Sequence, residues 1–219
     1  MIKTVIFDFN GTLFMDSDYH KKAWIAYAKQ RFGKDISVEQ FKNEFMGKPN
    51  VKILQMLDPS LSNEQALIYS EEKEVMYRTM VINDGMPRLV EGAEVLFNFL
   101  KIKNISFTIA SAANVNNFIF YRKVFNLDDY FNPNLLVMDD GSYDSKVMMY
   151  QRAIELLNGD LSTTYVFEDA RVGIDCALLA GINQLGIINE NVIDHRFKHY
   201  RNFNEVLQDK SFVLECIHD

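Results

Sequence analysis

The stretch Val5-Ile6-Phe7-Asp8-Phe9-Asn10-Gly11-Thr12-Leu13 (VIFDFNGTL, residues 5–13) decides how this chain folds. Three consecutive apolar residues, Val5, Ile6 and Phe7, predict a strand buried on both faces, the pattern of a parallel sheet covered by helices. Asp8 follows at once, so a carboxylate is delivered at the strand's carboxyl end, where open α/β sheets bind their ligands. Gly11 and Thr12 then supply the turn chemistry that takes the chain off the sheet.

Outward from this strand, residues 15–85 carry helical signals only. Ser37 opens S-V-E-Q and Ser62 opens S-N-E-Q, both matching a capping box, and Gly33 closes the preceding helix. From Pro87 onward the character alternates: helix AEVLFNFL, strand ISFTIAS, helix FIFYRKVF, strand LLVMD, helix VMMYQRAIELL, strand TTYVFED, helix CALLAG and strand QLGII. That order implies parallel strands joined by helical crossovers. One strand precedes the helical block and the others follow it. The expectation is therefore an α/β fold, a Rossmann-like parallel sheet core made of residues 1–14 and 86–219. An α-helical cap domain, residues 15–85, would be inserted after the first strand and lie over the sheet's carboxyl edge as a lid. Gly85, Pro87 and Gly92 mark the expected hinge.

Composition narrows the function classes. With 219 residues, 48% of them apolar, the chain can bury a substantial core. Its 23 basic and 30 acidic residues give a net charge of −7 with no basic stripe, which argues against nucleic acid or anionic membrane as partner. Cys176 and Cys216 fit neither a disulfide framework nor metal-ligand spacing, and predict a reducing, cytoplasmic setting. No segment reaches the length of a membrane span. His195, His199 and His218 lack metal-ligand spacing and read as surface residues.

Several apolar strands end in polar residues: Asp8 and Asn10, Ser111, Asp139 with Asp140, and Glu168 with Asp169. Each alone is accounted for as a helix cap. In this order and spacing they resemble the haloacid dehalogenase superfamily, in its phosphatase and β-phosphoglucomutase-like branch with a helical cap. The first motif, D-x-D-G-[TV], is matched by Asp8 to Thr12, S-A-[SA] by Ser111, Ala112 and Ala113, and ED-x-x-x-G by Glu168, Asp169 and Gly173. The resemblance implies a hydrolase that moves phosphate from a small phosphorylated metabolite through an aspartyl-phosphate at Asp8. It also implies Mg2+ held by Asp8, the backbone carbonyl of Asn10 and Asp169, with Glu168 beside them, and a phosphoryl group held by Ser111, Ala112 and Asn114. Clustered carboxylates repel one another, which by itself calls for a hard cation.

The chain departs from the family pattern twice. Asn10 stands where the family has the aspartate that protonates the leaving oxygen and then activates water, and a carboxamide can do neither. Turnover is expected to be weakened and best on acyl or aryl phosphates, whose leaving groups need little protonation. Because Gly11 follows it, Asn10 is also a site where deamidation would restore an aspartate. The third motif, K-P-x-P-[DE], is replaced by YDSKVMMYQRA, which puts Asp144 at the usual lysine position and Lys146 two residues later as the candidate phosphate binder. In the cap, His20 with Trp24, and Gly47, Lys48, Pro49 and Asn50, resemble the family's substrate contacts. Two further readings follow from the departures: a catalytically decayed scaffold that binds a phosphate ligand or regulates, and a β-phosphoglucomutase-like mutase. A dehalogenase needs no proton carrier, but has no use for the magnesium site. The expected assembly is a monomer or a weak homodimer.

Overall fold

Val5, Ile6 and Phe7 are completely buried in strand β1 (Thr4–Phe7) of the computed structural model, which describes residues 1–188 and 192–217. The chain then enters a helical unit, Asp16–Pro87, before returning to the unit formed by Met1–Met15 and Arg88–Asp219.

In the helical unit, α1 (Ser17–Phe32) ends at Gly33, whose φ of 66° suits glycine and whose N–H reaches back to the Lys29 carbonyl. The Ser37 side chain accepts the Gln40 N–H and opens α2 (Val38–Gln40). That helix is one turn long and runs into a π-turn at Phe41–Phe45. After α3 (Asn50–Leu57), Ser62 and Gln65 form a complete capping box at the start of α4 (Asn63–Asn83). The apolar faces of these helices meet around Trp24, Phe41, Phe45, Leu54 and Ala66.

The second unit continues with α5 (Ala93–Ile102), β2 (Ser106–Asn114), α6 (Val115–Val124), β3 (Val137–Asp139), α7 (Lys146–Leu156), β4 (Thr164–Glu168), α8 (Arg171–Leu179) and β5 (Gln184–Ile188). These form a Rossmann-like sheet of order β3-β2-β1-β4-β5-β6, in which every neighbouring pair is parallel. The sixth strand, β6 (Lys198–Tyr200), and helices α9 (Phe203–Gln208) and α10 (Lys210–Glu215) go beyond the sequence reading, which stopped at QLGII. Lys198 and His199 are exposed, so this edge strand shows no apolar run.

Alternation along β1 sends Ile6 to one face of the sheet, among Met149, Tyr150, Ile174 and Ala177, and Phe7 to the other. The Phe7 ring stacks on Phe167 with centroids 5.4 Å apart and meets Phe97 edge-on at 5.3 Å. Register pairs Phe7 with both Ile109 and Phe167, so the residues just beyond these three lie at one level of the sheet. Asp8, Ser111 and Glu168 are thereby delivered to the same carboxyl edge. His195 and His199 are exposed; His218 lies outside the described residues. Cys176 is half-buried, Cys216 is buried, and both are free thiols. Among the described residues no helix is long and apolar enough to cross a membrane.

Candidate active site

Asp8 leaves β1 with its N–H bonded to the Phe167 carbonyl at 3.0 Å and its carboxylate almost wholly buried. A tight turn follows in which Leu13 and Phe14 both donate to the Phe9 carbonyl, and Gly11 donates to Phe14 at 2.7 Å. Gly11 has φ 82°, and a Cβ there would lie 2.2 Å from Asp169 Oδ2, so both backbone conformation and space require glycine. Across the edge, Thr12 Oγ1 donates to Asp169 Oδ1 at 3.2 Å.

Glu168, the last residue of β4, is fully buried. Its Oε2 accepts the N–H groups of Asp169 and Ala170 at 3.0 and 3.2 Å, and its Oε1 accepts Tyr150 Oη at 2.6 Å and the Lys146 ammonium. Lys146 is the first residue of α7, and its Nζ also reaches Asp8 Oδ1 at 2.6 Å. Asp144, at the spacing where a lysine was sought, is exposed. The structure thus puts Lys146, two residues later, beside Asp8.

Oxygens of Asp8, Glu168 and Asp169 lie within 4.8 Å of one another. Burial, reinforced by Glu168 and opposed by Lys146, pushes the Asp8 carboxyl up to about 7. Burial, followed by the charges of Asp8 and Glu168, pushes Asp169 up to about 8. Burial works against the Lys146 ammonium, but Asp8 and Glu168 outweigh it and hold the group protonated well above its ordinary range. Three acids thus face one base. The donors are all carboxylate oxygens, and this set fits a hard divalent cation.

Ser111 is buried at the end of the central part of β2; its Oγ accepts the Ala113 N–H at 3.2 Å and donates to Asn10 Oδ1 at 3.3 Å. Asn10 Nδ2 in turn donates to Tyr121 Oη at 2.9 Å. Tyr121 is buried and stacks on Phe9 with centroids 4.5 Å apart. Ala112 is exposed next to Ser111, and the Asn114 side chain caps α6 by accepting the Asn117 N–H at 2.9 Å.

In the helical unit the residues singled out from sequence divide into two groups. His20 and Asn50 join one buried network. His20 Nδ1 is 2.8 Å from Lys73 Nζ, its Nε2 is 3.2 Å from Asp16, and its ring stacks on Tyr77 at 4.0 Å. Asn50 Nδ2 donates to Glu74 at 2.6 Å and to Ser70 at 3.0 Å, and Lys73 donates to the same Glu74 oxygen at 2.8 Å. Gly47 and Lys48 are exposed, with the Lys48 ammonium on the Glu44 carbonyl, and Trp24 is core. Sequence reasoning missed Lys73, although a lysine on the stripe Ala66, Lys73, Tyr77 and Val81 of α4 was a readable signal. It also missed Tyr121 and Tyr150. Tyr150 follows Lys146 by one helical turn, but its partner on β4 left no local trace.

A parallel sheet with a helical insertion after its first strand, and acids with a lysine at its carboxyl edge, defines an α/β protein with a candidate ligand site at its strand ends. The family profile of the haloacid dehalogenase-like hydrolases matches residues 2–181, and the chain belongs to that family. It is 26% identical over 199 residues, 86% of each chain, to a protein of Thermotoga maritima named phosphorylated carbohydrates phosphatase. A haloacid dehalogenase hydrolase of family IA, variant 3, from Entamoeba histolytica superposes with a TM-score of 0.89 at 29% identity, covering 98% of this chain and 99% of that one. The β-phosphoglucomutase of Clostridium difficile shares the fold, with a TM-score of 0.79 at 21% identity over 99% and 97% of the two chains.

Proposed function

We propose that this chain is a magnesium-dependent phosphatase for a small phosphorylated metabolite and that Asp8 is its nucleophile. The name of the Thermotoga relative suggests a phosphorylated carbohydrate as the substrate class. The observation that carries the reading is the Lys146 ammonium, 2.6 Å from Asp8 Oδ1 at an edge otherwise lined by acids.

An Asp8 oxygen attacks phosphorus and the bond to the leaving oxygen breaks, giving an aspartyl-phosphate. Water then attacks phosphorus, inorganic phosphate leaves, and the carboxylate is regenerated. Lys146 offsets charge on the phosphoryl oxygens throughout, and Ser111 lies where its hydroxyl can hold one of them. Asp8, Asp169 and the Asn10 carbonyl would hold magnesium, which supplies further charge neutralisation at the phosphoryl group when bound. Asn10 has no proton to give or take, so the leaving oxygen draws its proton from solvent. Lost general acid–base help costs about 10²- to 10⁴-fold. Acyl and aryl phosphates, whose leaving groups depart as stable anions, suffer least.

A mutase must activate sugar hydroxyls in both directions and depends more heavily on the missing carboxylate, which favours the phosphatase. A decayed scaffold rested on two losses together, and the approach of Lys146 to Asp8 offsets one of them. The test is magnesium-dependent hydrolysis of an aryl phosphate, expected in the native chain and lost by about 10³-fold or more in Asp8→Asn. Peptide mapping should read asparagine at position 10 in the active material. Binding of inorganic phosphate without any such hydrolysis would favour the scaffold.

A further inference from the structure

We propose that Tyr150 is a positioning residue for the phosphate-binding lysine, acting through Glu168, and that Glu168 anchors Lys146 instead of ligating the cation. This rests on the phosphatase reading above.

Lys146 begins α7, and the Asp144 and Ser145 before it are exposed. A four-carbon stem leaving a helix's first residue has many rotamers, and side-chain entropy opposes any single one. Something fixed must select the rotamer that reaches Asp8. Glu168 provides it. One carboxylate oxygen is pinned by two backbone N–H groups where α8 begins. The other takes Tyr150 Oη at 2.6 Å together with the Lys146 ammonium. Tyr150 is itself fully buried among Met149, Ala153 and Ile6. Its hydroxyl therefore ties the helix that carries the lysine to the strand end that carries the acid.

The count of donors gives Glu168 its second property. An ionised carboxylate offers about four acceptor sites, and four donors already occupy this one. Asp8 and Asp169 are left as the carboxylates for a cation. Gly173 makes the arrangement possible, because a Cβ there would fall 1.8 Å from Glu168 Oε1.

The experiment is calorimetric titration of the full chain with inorganic phosphate in the presence of magnesium, and separately with magnesium alone. Tyr150→Phe is expected to weaken phosphate binding by about tenfold, the value of one hydrogen bond to a charged group, while magnesium affinity stays within about twofold. In a Lys146→Met background the same substitution should change phosphate affinity by less than about twofold, since a residue acting through the lysine has nothing left to act on. Gly173→Ala, whose Cβ would displace Glu168 Oε1, should reproduce the weakening if Tyr150→Phe folds poorly. Unchanged phosphate affinity in both variants, an equal loss in the Lys146→Met background, or a Glu168→Gln variant that loses as much magnesium affinity as Asp169→Asn would each overturn the proposal. If those results appear while hydrolysis still depends on Asp8, the positioning role falls and the phosphatase reading stands. A native chain that neither binds phosphate nor hydrolyses an aryl phosphate removes both.

Discussion

Two groups of buried charge behave oppositely in this molecule. At the sheet edge, Asp8, Glu168 and Asp169 crowd around Lys146, and burial, with the neighbouring acids adding to it, pushes the carboxyls of Asp8 and Asp169 up to about 7 and about 8. In the helical unit, Asp16 and Glu74 are answered by Lys73 and by partners that close the network: Tyr77 donates to Asp16 at 3.0 Å, Asn50 donates to Glu74, and His20 bridges Asp16 and Lys73. Burial lowers the pKa of Lys73 and Glu74 opposes the shift, so the pair carries its own compensation. A cluster whose charged groups are tied together by internal hydrogen bonds has the character of an internal brace, whereas the sheet edge sets three acids against one lysine among the described residues, the kind of site a cation would complete. His20, through both ring nitrogens, and Asn50, through Nδ2, both read from sequence as substrate contacts, have partners inside this cluster.

The largest test of this contrast adds charge where the imbalance is. Asn10→Asp places one more carboxylate at the sheet edge and should raise turnover about 10²- to 10⁴-fold, most on alkyl phosphate esters. Steady-state kinetics over a panel of phosphorylated metabolites would measure it, and no gain would overturn the account of position 10. The next test removes the ammonium of the helical cluster. Lys73→Met leaves Glu74 buried without its cation and should cost about 3–5 kcal/mol in urea unfolding. A loss below about 1 kcal/mol, the level of an exposed pair, would show that the network does not brace the unit.

The smallest expected effect concerns pH. A carboxyl whose folded pKa is raised favours the folded state while protonated. Its contribution is therefore full below the unfolded value of 3.8 and is lost as pH rises through about 7 for Asp8 and about 8 for Asp169. Metal-free protein should lose a few °C of Tm between about pH 5 and pH 8.5, and magnesium should recover more at the upper end than at the lower. Scanning calorimetry giving the same magnesium increment at both pH values would place the cation away from these acids.

Much of the frame was legible because it is local. Apolar runs ending in polar residues marked the strands, Gly33 and Ser62 marked helix ends with the side chains that make the bonds, and the order of Asp8, Ser111, Glu168 and Asp169 marked a common edge. β6 escaped because pairing with β5 through the backbone needs no apolar pattern, and the turn at Phe41–Phe45 escaped because a π-turn has helical composition.

By itself the amino-acid order determined an α/β sheet with a helical insertion, a carboxylate at the end of the first strand, and the absence of a proton carrier at position 10. Which lysine meets Asp8, that Glu168 accepts both that lysine and Tyr150, that Tyr121 and Ser111 hold the Asn10 carboxamide, and that His20 shares a network with Lys73 were decided only in three dimensions. Strand and helix signals depend on neighbours in the chain, whereas these contacts join side chains from separate elements. Register, crossover geometry and rotamer selection must act together before such partners come within 3 Å or so of each other.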